Sequence, residues 1–315
     1  MVDLNTLIPP DSGWVLYEAT GINDAGQIVG SGDQGYFLLT PMTNQPPTVT
    51  LGGPLDVDEG GSLTLAATGT DPENEALTYE WDLDGDGTYE TPSPDGSATF
   101  SAASLDGPDT RTVGVRVTDA GGLEATTTAQ VTILNVRPTA TFAISPSTVY
   151  VGEAATVSFT GPSDPGVADT AAGFSYAYDC TSDGSFEVQA STTPSHSCAY
   201  TLAGGQSARG HIEDKDGGFT DYTVTVNVRT HQQGVAGLIQ IVQGFGLPKG
   251  IEKSFVEKLE HALASLQKGN VGAACAELRA FVNHAQAQSG RQLTVAQATQ
   301  IIAEAQAIRT ALGCS

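Results

Sequence analysis

Along the first 228 residues, apolar and polar positions alternate in short runs. Beyond Val228 the apolar residues recur every three to four positions instead. Alternation predicts strands with one buried face, and the later spacing predicts amphipathic helices. In SLTLAA, Leu63 and Leu65 point one way, as do Val113, Val115 and Val117 in RTVGVRV and Val131 and Ile133 in the strand that follows. Trp81 closes the strand TYEW, where a sandwich core takes one large aromatic. The scheme is then written a second time, with inward faces at Val157 and Phe159, at Phe174, Tyr176 and Tyr178, and at Val224, Val226 and Val228.

Whole strings repeat with the pattern. WDLDGDGTYE at Trp81 to Glu90 is echoed by YDCTSDGSFE at Tyr178 to Glu187, and VTDAGGLEATTTAQVTILNV at Val117 to Val136 by IEDKDGGFTDYTVTVNV at Ile212 to Val228. A period of roughly 95 residues is long for a solenoid unit and right for a small domain. With alternating strands inside it, the unit reads as a β-sandwich present in two copies. Ahead of them, WVLYEA, QIVGS and GYFLL alternate with Asn-Asp-Ala-Gly and Gly-Asp-Gln-Gly turns. Two or three strands are too few to bury a core alone. Four helices are expected after Val228. Phe255, Leu259, Ala262 and Leu266 form one stripe of the second, and Thr294 suits the N-cap of the last. Gly250 is expected to part the first two helices, Gly269 and Asn270 to stop the second, and Gly313 to end the fourth.

The predicted fold class is therefore multidomain and mainly β, with two tandem β-sandwiches and a small all-α domain at the C-terminus. The boundaries read as residues 1–42 for the short β-repeat, 45–136 and 137–228 for the sandwiches, and 232–315 for the helices. Charge supports the last boundary. Of the formal −23, residues 1–228 hold 31 acids and 5 bases, whereas residues 229–315 hold 5 acids and 8 bases. An acidic front repels phosphate and argues against nucleic acid, and it suits either plain solubility or cation binding.

Four cysteines fall as two local pairs, Cys180 with Cys198 and Cys275 with Cys314. One pair per domain predicts two intradomain disulfides and an oxidising compartment. No stretch has the length of apolar residues that a spanning helix needs. MVDLNTLIPPDSGW lacks the form of a signal peptide, so the secreted chain is expected to begin upstream of Met1.

WDLDGDG resembles the WDFGDG signature of PKD domains, immunoglobulin-like sandwiches of bacterial surface proteins and secreted hydrolases. The resemblance spans residues 45–228, and the second copy departs from it with YDCTSDG. INDAGQIVG at Ile22 to Gly30 resembles the mark of HAF-type extracellular repeats, so residues 1–42 read as an incomplete blade. The tail, with GNVGAACAELRAFVNHAQAQSGRQLT and AIRTALGC, resembles the FIMAH domain, a helical module at the C-termini of bacterial extracellular proteins.

Asp82, Asp84 and Asp86, with Glu90, are the first candidates for chemistry. Carboxylates at alternate positions before Gly87 let a tight loop turn several oxygens inward, as hard Ca2+ requires. The same aspartates also suit a turn in which they cap their own amides. A second acidic cluster, Asp71 and Glu73 with the Asp119 turn, offers a further metal candidate, and the second copy presents Asp164 with Asp214 and Asp216. No GxSxG, HExxH or P-loop string is present, and none of the five histidines assembles with a nucleophile and an orienting group. The chain reads as no enzyme. Calcium is the one cofactor entertained. The expected role is that of an extracellular or cell-surface spacer and adhesion module for an unidentified polysaccharide, protein or cell-surface ligand. The alternative is an accessory region of a secreted hydrolase whose catalytic domain lies upstream, a reading by fold analogy.

Overall fold

The computed structural model describes residues 2–314, and the chain packs as two compact units. One holds the residues as far as Leu55 together with Leu63–Phe100 and Thr110–Val131, and the other holds Asp56–Ser62, Ser101–Asp109 and the chain from Thr132 onward.

The alternation produced strands where it was strongest. In the first copy Thr48–Leu51, Ser62–Thr70 and Ser97–Ser101 form a three-stranded sheet. A five-stranded sheet runs in the order Asp56–Asp58, Glu124–Leu134, Asp109–Thr118, Thr78–Asp82, Thr91–Ser93. Asp56–Asp58 joins it in parallel, with Val57 opposite Ile133. The second copy repeats that order strand for strand. Thr139–Ser145, Ala154–Ser163 and Ser195–Ala199 make the small sheet; Thr148–Tyr150, Phe219–Arg229, Gly204–Glu213, Ser175–Asp179 and Val188–Ser191 make the large one. Trp81, Leu65, Val113, Val115 and Val117 are fully buried, as are Val157, Tyr178 and Ile212 in the repeat. Tyr178 takes the place of Trp81, and its hydroxyl donates to the Thr193 carbonyl at 2.9 Å. The Cys180–Cys198 disulfide lies beside it in the same core.

The two copies differ most at one loop. Where the first runs through TDPENE, the second inserts a short helix, α1 (Val167–Ala172), that the periodicity does not announce. Ahead of the sandwiches, Leu16–Ile22, Ile28–Gly32 and Gly35–Leu39 form an antiparallel sheet of their own. Its strands leave Tyr17, Ile22, Tyr36 and Leu38 exposed, as expected of a sheet too small to bury both faces.

Four helices follow: α2 (His231–Gly244), α3 (Lys249–Gln267), α4 (Val271–Gln288) and α5 (Val295–Ala311). The expected stripe of Phe255, Leu259, Ala262 and Leu266 is buried, and Thr294 caps α5 through a capping box with Gln297. Gly250 does not part α2 from α3, because it lies inside the first turn of α3. The break falls at Gly246, in the left-handed region at φ 62°, and at Pro248, which starts the next helix. Asn270 caps α4 rather than merely ending α3. The Cys275–Cys314 disulfide ties the second turn of α4 to the residue following Gly313. Among the described residues, no helix is long and apolar enough to cross a membrane.

Candidate functional site

Acidic side chains gather in three places. At the turn after Thr78–Asp82, carboxylate oxygens of Asp82, Asp84 and Asp86 lie within 4.8 Å of one another. Asp82 is buried, and its two oxygens accept from the amides of Gly85 (2.7 Å) and Gly87 (2.9 Å). Asp84 accepts from the Asp86 amide and Asp86 from the Thr88 amide. The aspartates therefore cap their own turn, while Asp84 and Asp86 keep an exposed face that could take a cation. Glu90 is exposed and stands outside that group of three. The second copy keeps the turn with Asp179, buried, accepting from Thr181 and Gly184.

The cluster at Asp71, Glu73 and Asp119 braces the linker instead. Asp119 accepts from the Asn44 side chain at 3.0 Å, and Glu73 takes both the backbone and side-chain amides of Gln45 at 3.1 Å. Asp71 accepts from the Glu73 and Glu75 amides, and its other oxygen is buried without a hydrogen bond. The repeat reproduces this with Asn135 and Asp214, whose oxygens receive the Asn135 amide at 3.3 Å, while Asp164 stands in the place of Asp71.

Around Asp164 the second unit adds what the sequence reading missed: Glu59, Asp106 and Asp169. Oxygens of Glu59, Asp164 and Asp169 lie within 4.8 Å of one another, and all three residues are buried. A second trio, Asp106, Asp169 and Asp216, shares Asp169. Lys215 enters that second trio, 2.6 Å from Asp106 and 3.6 Å from Asp169, and also bonded to Asp216. Its hydrogen bonds to Asp106 and Asp216 hold the ammonium well above the ordinary lysine range. Burial, reinforced by the charge of Glu59, pushes the Asp169 carboxyl up to about 6, and burial likewise raises Asp164. Sequence reading had no signal for Glu59. In the repeat its place is taken by Val151, since the Glu59 amide donates to the Leu134 carbonyl as the Val151 amide does to that of Arg229. Asp169 had none either, since it sits in the inserted helix.

Other ring-bearing side chains make contacts within the fold. Tyr178 and Tyr200 are buried, Tyr89 lies under the Arg116 guanidinium at 5.1 Å, and Phe186 lies under that of Arg209 at 5.0 Å. His196 stacks on Tyr178, and His211 bonds Asp221 at 2.8 Å. Cys180 and Cys198 are spent in their disulfide and supply no thiolate to a metal.

Residues 44–133 match the family model Big_9, described as a Bacterial Ig domain. Among solved structures, the PKD domain of an M14-like peptidase from Thermoplasmatales archaeon SCGC AB-540-F20 is 28% identical, covering 29% of this chain and 99% of its own, with a TM-score of 0.24. The PKD1 domain of Vibrio anguillarum Epp is 25% identical, covering 29% and 98%, at 0.22. SGBP-B of the Bacteroides ovatus mixed-linkage glucan utilization locus, in complex with a mixed-linkage heptasaccharide, is 16% identical over 59% and 48%, at 0.24. No curated protein matches the chain. Residues 44–133 are thus similar to a bacterial Ig domain, and the fold is mainly β with Ig-like sandwiches and a helical C-terminal region.

Proposed function

We propose that the chain is a non-catalytic extracellular or cell-surface spacer that carries binding loops. What supports the reading is the duplicated sandwich itself: two copies with the same strand order, with Trp81 buried in the first core and Tyr178, among other buried rings, in the second. Such scaffolds present loops from a stiff frame, and binding residues concentrate on loops of this kind. Two disulfides with no free cysteine among the described residues suit an oxidising compartment. In this reading residues 1–42 are a HAF-like unit, the helices are a FIMAH-like interaction or retention module, and the ligand is an extracellular polysaccharide or a protein. Calcium at Asp82, Asp84 and Asp86 belongs to the same reading as an accessory to loop stiffness.

The purified full chain, incubated with insoluble polysaccharides and with bacterial cell-surface preparations, is expected to sediment with a ligand and to release no soluble sugar or peptide. Turnover that follows the chain through purification would overturn the reading.

A further inference from the structure

We propose that Glu59, Asp164 and Asp169 form a calcium site in the second unit, clamping the Asp56–Ser62 segment to the loop and short helix at residues 164–169. This goes beyond the spacer reading and does not depend on it.

Three carboxylates meet here without an adequate partner. Asp169 is wholly buried, and neither of its oxygens makes a hydrogen bond. Asp164 spends one oxygen on the Gly166 amide at 2.8 Å, and its other oxygen is buried with no hydrogen bond. Glu59 is 1% exposed and is fixed by the amides of Gly107 and Val136, each at 2.8 Å. Those bonds set the direction of the Glu59 carboxylate and leave a lone pair on each oxygen. Buried carboxylates left unpaired are costly, so an arrangement of three is expected to hold a cation or a proton.

The geometry favours the cation. Ligands around one Ca2+ sit about 2.3–2.6 Å from it, so opposite ligands lie about 5 Å apart. The oxygens of these three residues lie within 4.8 Å of one another. The backbone has been cleared for that approach. A Cβ at Gly166 would stand 2.3 Å from an Asp169 oxygen and 2.8 Å from a Glu59 oxygen, so only glycine lets both carboxylates close over it. Lys215 does not do the same work, because its hydrogen bonds go to Asp106 and Asp216 and it stays 3.6 Å from Asp169. Of the five carboxylates, Lys215 thus reaches Asp106, Asp169 and Asp216 and not Glu59 or Asp164. Every donor is a hard oxygen, and the three come from a strand end, a loop and a short helix, a mixed and adaptable set that suits Ca2+ better than the strict octahedron of Mg2+.

The test is calorimetric titration of the EDTA-stripped full chain with CaCl2, paired with thermal melting. Wild type should bind, and its melting temperature should rise by about 5–10 °C at one hundred times the dissociation constant. Asp169→Asn should lower affinity for the tightest Ca2+ at least tenfold and remove most of the melting shift. Asp164→Asn keeps the oxygen that accepts from Gly166 and replaces the unpartnered one, so it serves where Asp169→Asn does not fold and should lose binding equally. The double variant Asp84→Asn, Asp86→Asn leaves this site whole and should retain that binding. No heat and no shift in wild type would overturn the proposal. So would Asp169→Asn and Asp164→Asn binding as wild type does, binding lost only in the Asp84/Asp86 variant, or Mg2+ matching Ca2+.

Discussion

Removing the Cys275–Cys314 disulfide should unfold the helical region far below the melting point of the intact protein. The bond joins residues 39 positions apart, so it closes a loop that contains most of α4 and all of α5. Restoring that freedom to the unfolded chain costs about 4 kcal/mol by loop-closure entropy. For a small domain each kcal/mol moves the melting temperature by roughly 4–8 °C, so Cys275→Ala with Cys314→Ala should lower the helical transition by about 15–30 °C. Far-UV circular dichroism follows the helices, and the Cys180→Ala, Cys198→Ala pair is the companion measurement. That second bond closes a loop of 18 positions in the sandwich core, about 3 kcal/mol by the same model, and should leave the helical signal close to wild type. A fall of less than about 5 °C in the helical transition would refute the reasoning, because it would mean that the helices hold their register without the bond.

Two further outcomes follow from single side chains. Trp81→Ala removes the largest fully buried side chain and should destabilise the first sandwich by about 3–5 kcal/mol, read by denaturant melting; a loss under about 1 kcal/mol would mean that the core closes around the gap. His284 stacks on Phe255 at 4.2 Å with its Nδ1 buried and without a hydrogen bond, and burial together with Lys258 lowers its basicity. The unfolded imidazole takes up a proton near pH 6.5 while the folded one resists it, so protonation favours unfolding. The helical transition should therefore fall as pH drops below about 6.5, and fall less in His284→Gln; parallel pH curves for the two proteins would contradict this assignment.

Much of this architecture was legible because each sandwich strand buries one face, and a half-buried strand writes alternation directly into the sequence. The duplication then confirmed itself at Trp81 and Tyr178, and the helical stripe at Phe255 to Leu266 appeared with its cap at Thr294. The Asp82 turn was legible too, since its contacts are local. What could not be read was contact across long stretches of chain. Glu59 and Asp169 meet only in three dimensions, and in a chain with 36 acids no single carboxylate stands out. Helix α1 escaped for a different reason. At six residues it is too short to show a period, and only Gly166 at its start and Gly173 at its end mark it. Gly250 misled because a glycine in a first helical turn is tolerated, whereas Pro248 two residues earlier carried the stronger signal.

The central claim, a disulfide-stabilised spacer and binding protein working outside the cytoplasm, is tested most directly by recovering the native chain from fractionated cells. Each fraction would be treated with iodoacetamide without reductant and its intact mass measured. The account predicts the chain in the medium or on the cell surface with none of its four cysteines alkylated. Recovery from the cytoplasm with all four alkylated would contradict it.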